Sequence, residues 1–186
     1  MTRIISGAAG SLALTVPDAG TRPTSDRVRE SLFSALESAG AVDDAAVLDL
    51  YAGSGALGLE AVSRGARSAD LVEKAPRAAS VARRNADAVS RAVAGAAIRV
   101  HRAAAEAFVR SDAGRYDLVL IDPPYDVGET EIAELLALLA PRLTPEATVI
   151  VERATRSPRP SVPASLVHGR SKKYGDTTMW WLHPAP

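Results

Sequence analysis

The 186 residues suit a single domain, and 47% of them are apolar, enough for a continuous core. Twenty-two basic residues balance 22 acidic ones, which excludes nucleic-acid binding by bulk charge and confines any such surface to a local patch. The absence of cysteine excludes disulfides, thiolate metal sites and cysteine nucleophiles. With no run of about 18 apolar residues and no visible leader, it also makes the cytoplasm the expected setting, with no membrane contact.

In chain order, Arg3 to Ser6 and Leu12 to Val16 flank a turn at Gly7 to Gly10. The second run alternates apolar and polar, so residues 1–20 read as a β-hairpin extension. Pro17 to Gly20 break the chain, and residues 21–186 read as the main body of one globular unit. Thr24 or Ser25 can cap a helix whose apolar stripe is Val28, Leu32 and Leu36. From Ala46 the period changes. Strands are expected at 46–50, 69–73, 97–101, 117–122 and 147–152, alternating with helices at 56–64, 76–92, 103–110 and 129–141. Such alternation predicts an α/β fold, a parallel sheet with helices on both faces. Residues 153–163, rich in Pro, Ser and Arg, read as a loop. Two short apolar runs, 164–170 and 177–182, predict an antiparallel pair at the sheet edge, for seven strands in all.

Asp122, Pro123, Pro124 and Tyr125 follow the apolar run Tyr116 to Ile121. A carboxylate, two prolines and an aromatic ring therefore sit at the C-terminal end of a buried strand, where open α/β sheets bind ligands. Proline fixes φ and has no N–H, so the carbonyls around it point in set directions. The Asp122 carboxylate and Pro123 carbonyl offer acceptors, and Tyr125 offers a flat surface. That cage suits a planar group bearing an –NH2, such as the exocyclic amine of a nucleobase.

Gly53-Ser54-Gly55-Ala56-Leu57-Gly58 is a G-x-G-x-x-G run between a strand and a helix. By itself it suits NAD, FAD or S-adenosylmethionine, because glycine lets a ligand approach the backbone closely. Glu73 ends the next strand, where a carboxylate can accept hydrogen bonds from ribose hydroxyls. Asp49 discriminates among these ligands. A carboxylate beside the glycine loop repels a pyrophosphate and attracts the ammonium and sulfonium of S-adenosylmethionine. The candidate cofactor-binding residues are Asp49, Tyr51, Ala52, Gly53, Ser54, Gly55 and Gly58, then Glu73 and Lys74, then Ala104 and Ala105.

Arg153, Arg156, Arg159, Arg170, Lys172 and Lys173 fall in a segment without Asp or Glu, either a solvated loop or a phosphate-contacting rim. His101, His168 and His183 show no metal-ligand spacing. Trp180 and Trp181 alternate faces on a strand, so one of them belongs to the core.

Together, Arg22-Pro23-Thr24-Ser25-Asp26-Arg27-Val28-Arg29-Glu30, Leu48 to Ala61 and Asp122 to Tyr125 resemble one family. With Arg3-Ile4-Ile5-Ser6-Gly7 and Lys173-Tyr174-Gly175-Asp176-Thr177, the chain is similar to the bacterial 16S rRNA guanine-N2 methyltransferases of the RsmD type. The resemblance implies a Rossmann-like class I methyltransferase sheet with an N-terminal hairpin. It implies methyl transfer from S-adenosylmethionine, leaving S-adenosylhomocysteine, to a guanine amine of small-subunit rRNA, free or in an assembled ribosomal particle. Asp49, Gly53, Gly55 and Glu73 fall on its cofactor positions, and Asp122 and Tyr125 on its target-base positions. The expected RNA contacts are Arg3, Arg22, Thr24, Arg27, Arg29, Lys172, Lys173 and Tyr174, and a monomer is expected. One departure is Arg102-Ala103-Ala104-Ala105-Glu106, where such enzymes often carry Asp or Asn against the adenine; here backbone groups would supply those contacts.

Other readings stay open on the residues alone. The cage equally accepts an adenine or cytosine amine in DNA, although no sizeable extra recognition domain is present. An NAD-dependent oxidoreductase is disfavoured by Asp49 and the proline cage. A binding protein without catalysis is disfavoured by the intact motifs.

Overall fold

A computed structural model describes residues 2–17 and 25–186. Strands β1 (Thr2–Arg3) and β2 (Ala13–Leu14) pair antiparallel, shorter than the alternation suggested. The intervening backbone is used elsewhere. The N–H groups of Ile5 and Ser6 donate to the Glu60 carboxylate (2.8 and 3.1 Å), and that of Ala8 to the Ser63 carbonyl (2.7 Å). At Gly7 φ is +84°, and a Cβ there would stand 1.8 Å from the Ser63 carbonyl oxygen, so only glycine lets the hairpin close down.

Helix α1 (Asp26–Ser38) starts at Ser25, whose Oγ accepts from the Val28 N–H (3.3 Å); Thr24, the other expected cap, lies outside the described residues. After it come β3 (Ala46–Leu50), α2 (Ala56–Ser63), β4 (Ser68–Val72), α3 (Pro76–Ala92), β5 (Ala97–His101) and α4 (Ala105–Ser111). The chain continues through β6 (Tyr116–Ile121), α5 (Glu129–Leu139), a 3-10 turn (Ala140–Arg142), β7 (Leu143–Ala154), β8 (Leu166–Tyr174) and β9 (Thr177–Pro184).

The large sheet has the order β5-β4-β3-β6-β7-β9-β8. Strands β3 to β7 run parallel, whereas β9 is antiparallel to both β7 and β8. Alternation along the strands divides the apolar core in two. Val47, Leu71 and Leu118 pack with Leu32, Phe33, Leu59 and Val89 of α1, α2 and α3, and the hairpin adds Ile4 and Leu14 to this side. Leu48, Val119 and Val149 pack with Phe108, Ile132 and Leu136 of α4 and α5. Trp181 is buried in the first cluster, and Trp180 packs half-buried against the second. No helix among the described residues is long and apolar enough to cross a membrane.

The strand boundaries differ from expectation at the antiparallel edge. Strand β7 runs on to Ala154, through the first residues of the expected loop, because Arg153 and Ala154 pair with Thr178 and Thr177. Strand β8 extends to Tyr174 for the same reason, pairing there with Thr177.

Candidate functional site

After β3 the chain builds β4 and β5 on one side and then returns to place β6 on the other. Strand order therefore reverses at β3, and the crevice beyond the carboxyl ends of β3 and β6 is where such a sheet binds ligands. A cavity of about 790 Å³ lies there, within the range of small-molecule sites, roughly 300–1,000 Å³. Its walls hold Asp49, Tyr51, Ala52, Gly53, Ser54, Glu73, Lys74 and Ala105 of the expected cofactor residues, together with Asp122, Pro123, Pro124 and Tyr125. The two motifs, some seventy positions apart in sequence, thus share one cavity.

The other expected cofactor residues, Gly55, Gly58 and Ala104, stand next to the lining and not in it. Gly55 caps α2 with φ +81°, and a Cβ on Gly58 would lie 2.3 Å from Leu71 Cδ2 and 3.1 Å from Asp49 Oδ2. These glycines let α2 approach β3 and β4. The Gly58 N–H donates to Asp49 Oδ2 (2.9 Å). Ala104 precedes α4, between Ala103 and Ala105, which form the wall there.

Asp49 is only 1% exposed. Burial pushes its pKa up to about 7; the Gly58 N–H opposes the rise and the nearby Glu73 charge adds to it. Glu73 is held by the backbone, its Oε2 accepting from the Gly53 N–H (3.0 Å) and its Oε1 from the Ala75 N–H (2.7 Å). A carboxylate fixed in this way keeps acceptor capacity for ligand hydroxyls. Tyr51 turns the chain with φ +64°, and burial, followed by the Glu106 and Glu131 charges, pushes its hydroxyl up to about 12. A Cβ on Gly53 would meet nothing within 4 Å, so that stretch of loop lies open to a ligand. An open glycine loop, an anchored carboxylate and a buried acid fit a molecule carrying a sugar diol and a cationic group.

At the other end of the cavity Pro123 is buried and Tyr125 is 61% exposed. The Val127 N–H donates to the Pro124 carbonyl (3.1 Å), closing the turn after the prolines. Arg153 fastens this turn from β7, donating from Nη2 to the Val127 carbonyl (2.9 Å) and from Nε to Glu129 Oε1 (3.1 Å). Sequence reading missed this clamp, because Arg153 stood among surface cations of a supposed loop and its partners lie on another element. It also missed Asn85 of α3. Asn85 accepts from the Thr15 N–H (2.9 Å) and donates to the carbonyls of Thr15 (2.8 Å) and Ser54 (2.9 Å), which ties the segment after β2 to the glycine loop.

The expected RNA-contact residues divide. Arg3, Arg27, Lys172 and Lys173 are exposed, and Tyr174 is half-buried with its hydroxyl 2.9 Å from Ser31 Oγ. Arg22 and Thr24 lie outside the described residues. Arg29 is a correction. Its side chain is 1% exposed, with hydrogen bonds to Thr2 Oγ1 (3.1 Å), Asp26 Oδ1 (3.0 Å) and the Arg3 carbonyl, so it locks hairpin to helix from within, at the wall of the main cavity and not on the outer surface. Among the described residues no group of His, Cys, Asp or Glu is arranged to hold a metal ion.

Sheet order, switch-point cavity and motif placement put the chain among the Rossmann-like methyltransferases. Residues 2–183 match the family model described as Conserved hypothetical protein 95, and the chain belongs to that family, the RsmD family. The Ribosomal RNA small subunit methyltransferase D of Escherichia coli is 40% identical over 176 residues, covering 93% of this chain and 85% of that protein. Its Haemophilus influenzae namesake is 31% identical over 159 residues, covering 84% and 80%. Among solved structures, Escherichia coli yhhF superposes with a TM-score of 0.84 at 37% identity, covering 98% of this chain and 97% of that one.

Proposed function

We propose that this methyltransferase moves the methyl group of S-adenosylmethionine to the N2 amine of a guanine in small-subunit rRNA, releasing S-adenosylhomocysteine. The observation that carries this reading is the single cavity shared by the Asp49 and Glu73 wall and the Asp122 to Tyr125 cage. The relatives' names supply the RNA class.

When bound, S-adenosylmethionine supplies a methyl group on a positively charged sulfur, which needs no further activation. Glu73 would hold the ribose hydroxyls, Asp49 would face the cationic end, and the open backbone at Gly53 would admit the close approach. The protein's remaining task is positioning, which can lower a barrier by roughly 7–11 kcal/mol. The N2 of guanine is a poor nucleophile because its lone pair is delocalised into the ring. The Asp122 carboxylate and the Pro123 carbonyl accept its two hydrogens, which fixes the direction of the lone pair. Asp122 then stabilises the positive charge that develops on nitrogen and passes the proton to water. The base must leave its stack to enter, and Tyr125 replaces the lost stacking, worth roughly 1–3 kcal/mol per base.

The test is labelled-methyl transfer to small ribosomal subunits, free rRNA and duplex DNA in parallel, followed by nucleoside analysis. N2-methylguanosine in the RNA arms is the expected product, and label confined to DNA adenine or cytosine would replace the assignment. Asp122→Ala should abolish turnover while leaving donor affinity nearly intact by calorimetry. Equal loss of both would overturn this division of roles.

A further inference from the structure

Beside the main cavity lies a second hollow of about 450 Å³, lined by Tyr125, Ala154, Thr155, Arg156, Gly175 and Asp176. Three of these residues, Tyr125, Ala154 and Arg156, also line the main cavity, so the two spaces meet along one wall. The far wall is the turn between β8 and β9, and it is fixed. The Thr155 N–H donates to the Asp176 carbonyl (2.7 Å), Thr155 Oγ1 donates to the Gly175 carbonyl (3.1 Å), and the Thr155 and Thr178 hydroxyls lie 3.2 Å apart. Gly175 takes φ +59° to make the turn, and Asp176 stands exposed beside it.

We propose that this hollow seats the nucleotide next to the methylated one, and that it favours a base carrying an exocyclic amine over uracil. The proposal rests on the guanine-N2 reading above and deepens it. A nucleotide drawn into the main cavity brings its neighbour to the mouth through one phosphate. The residues common to both spaces include a cation, Arg156, suited to that phosphate, and an aromatic ring, Tyr125, suited to stacking. Stacking tolerates any base, so selectivity must come from the edge of the ring. Asp176 is the acidic residue in this lining. An ionised carboxylate only accepts hydrogen bonds. It pairs with the amines of cytosine, adenine or guanine, whereas uracil turns carbonyl oxygens toward it on either side of its lone N–H.

Small ribosomal subunits reconstituted from transcribed rRNA provide the test. The methylated position is mapped, and each flanking nucleotide is set in turn to cytosine or uracil. At one flank uracil should raise KM for subunits about tenfold over cytosine, the loss expected of a carboxylate–amine pair, with kcat and donor KM unchanged. Asp176→Ala should show the same rise with cytosine and no further rise with uracil. A wild-type KM in Asp176→Ala, losses that multiply, or loss in kcat alone would overturn the seat. A wild type that methylates N2 of guanine with no flank preference would overturn the seat and leave the parent reading standing. A wild type that methylates no RNA would overturn both.

Discussion

On the proposed function, Asp49 would couple donor binding to pH. Its carboxyl titrates near 7 because it is buried at the cavity wall. A raised folded-state pKa means that the native protein holds a proton which the unfolded chain, at an ordinary carboxylate pKa near 3.8, has already lost. The contribution of Asp49 to stability therefore falls as pH rises from about 4 to about 7 and levels off above that. Affinity for a cationic ligand runs the opposite way, since only ionised Asp49 attracts it. Donor affinity should rise with pH up to about 7, by at most about tenfold per unit, then plateau. Asp49→Asn should flatten the profile and weaken binding at pH 8 by about tenfold, as calorimetry between pH 5.5 and 8.5 would show; tighter binding at acid pH would sink the idea. The position of this acid beside the glycine loop was legible in the sequence, whereas its protonation was not. Burial arises when Gly58 lets α2 close on β3, a packing event between two elements. Arg29 carries the same lesson. On α1 it flanks the apolar stripe, and only the hairpin's Thr2 and Arg3, packed against it from far along the chain, turn a candidate phosphate contact into a buried lock.

At the scale of elements, alternation of apolar runs made strands and helices from Ala46 onward readable, because strand and helix periods are dictated locally. Their ends were readable only where local chemistry sets them, as at Ser25. Where partner strands set the ends the reading failed, and the extension of β7 to Ala154 has a functional consequence. It carries Arg153 under the turn that follows Asp122, with hydrogen bonds to Val127 and Glu129. On the proposed mechanism Arg153 is thus a positioning residue. Arg153→Ala should lower kcat by tenfold or more, since a displacement of about 1 Å at the reacting atoms can cost about a hundredfold, while donor affinity stays within about twofold. Arg153→Lys should recover only part of the rate, because lysine lacks the planar fork that bonds both partners. Steady-state kinetics alongside thermal melts would decide, and a kcat equal to wild type in a folded Arg153→Ala protein would remove the clamp from the mechanism.

On the proposed function the whole molecule faces a different problem, that of meeting a polyanion with no net charge of its own. Folding gathers dispersed cations around α1. Arg3 of the hairpin pairs with Asp26 (3.5 Å), Arg27 follows one residue later, and Lys172 of β8 donates to Ser31 Oγ (2.9 Å) while lying 5.0 Å over the Tyr174 ring; Lys173, next in the strand, is exposed on the other face of this edge strand. Residues from both ends of the chain therefore meet at α1, which composition could not reveal. If these four exposed cations each meet a single-strand phosphate, log K against log salt should slope near −3. Replacing Lys172 and Lys173 by alanine should bring the slope to about −1.5 and weaken binding equally for all sequences, because phosphate contacts carry no base information. Fluorescence anisotropy of labelled rRNA fragments across a potassium chloride series measures both slopes. A salt-independent affinity, or a double variant with an unchanged slope, would place the RNA on another face of the protein.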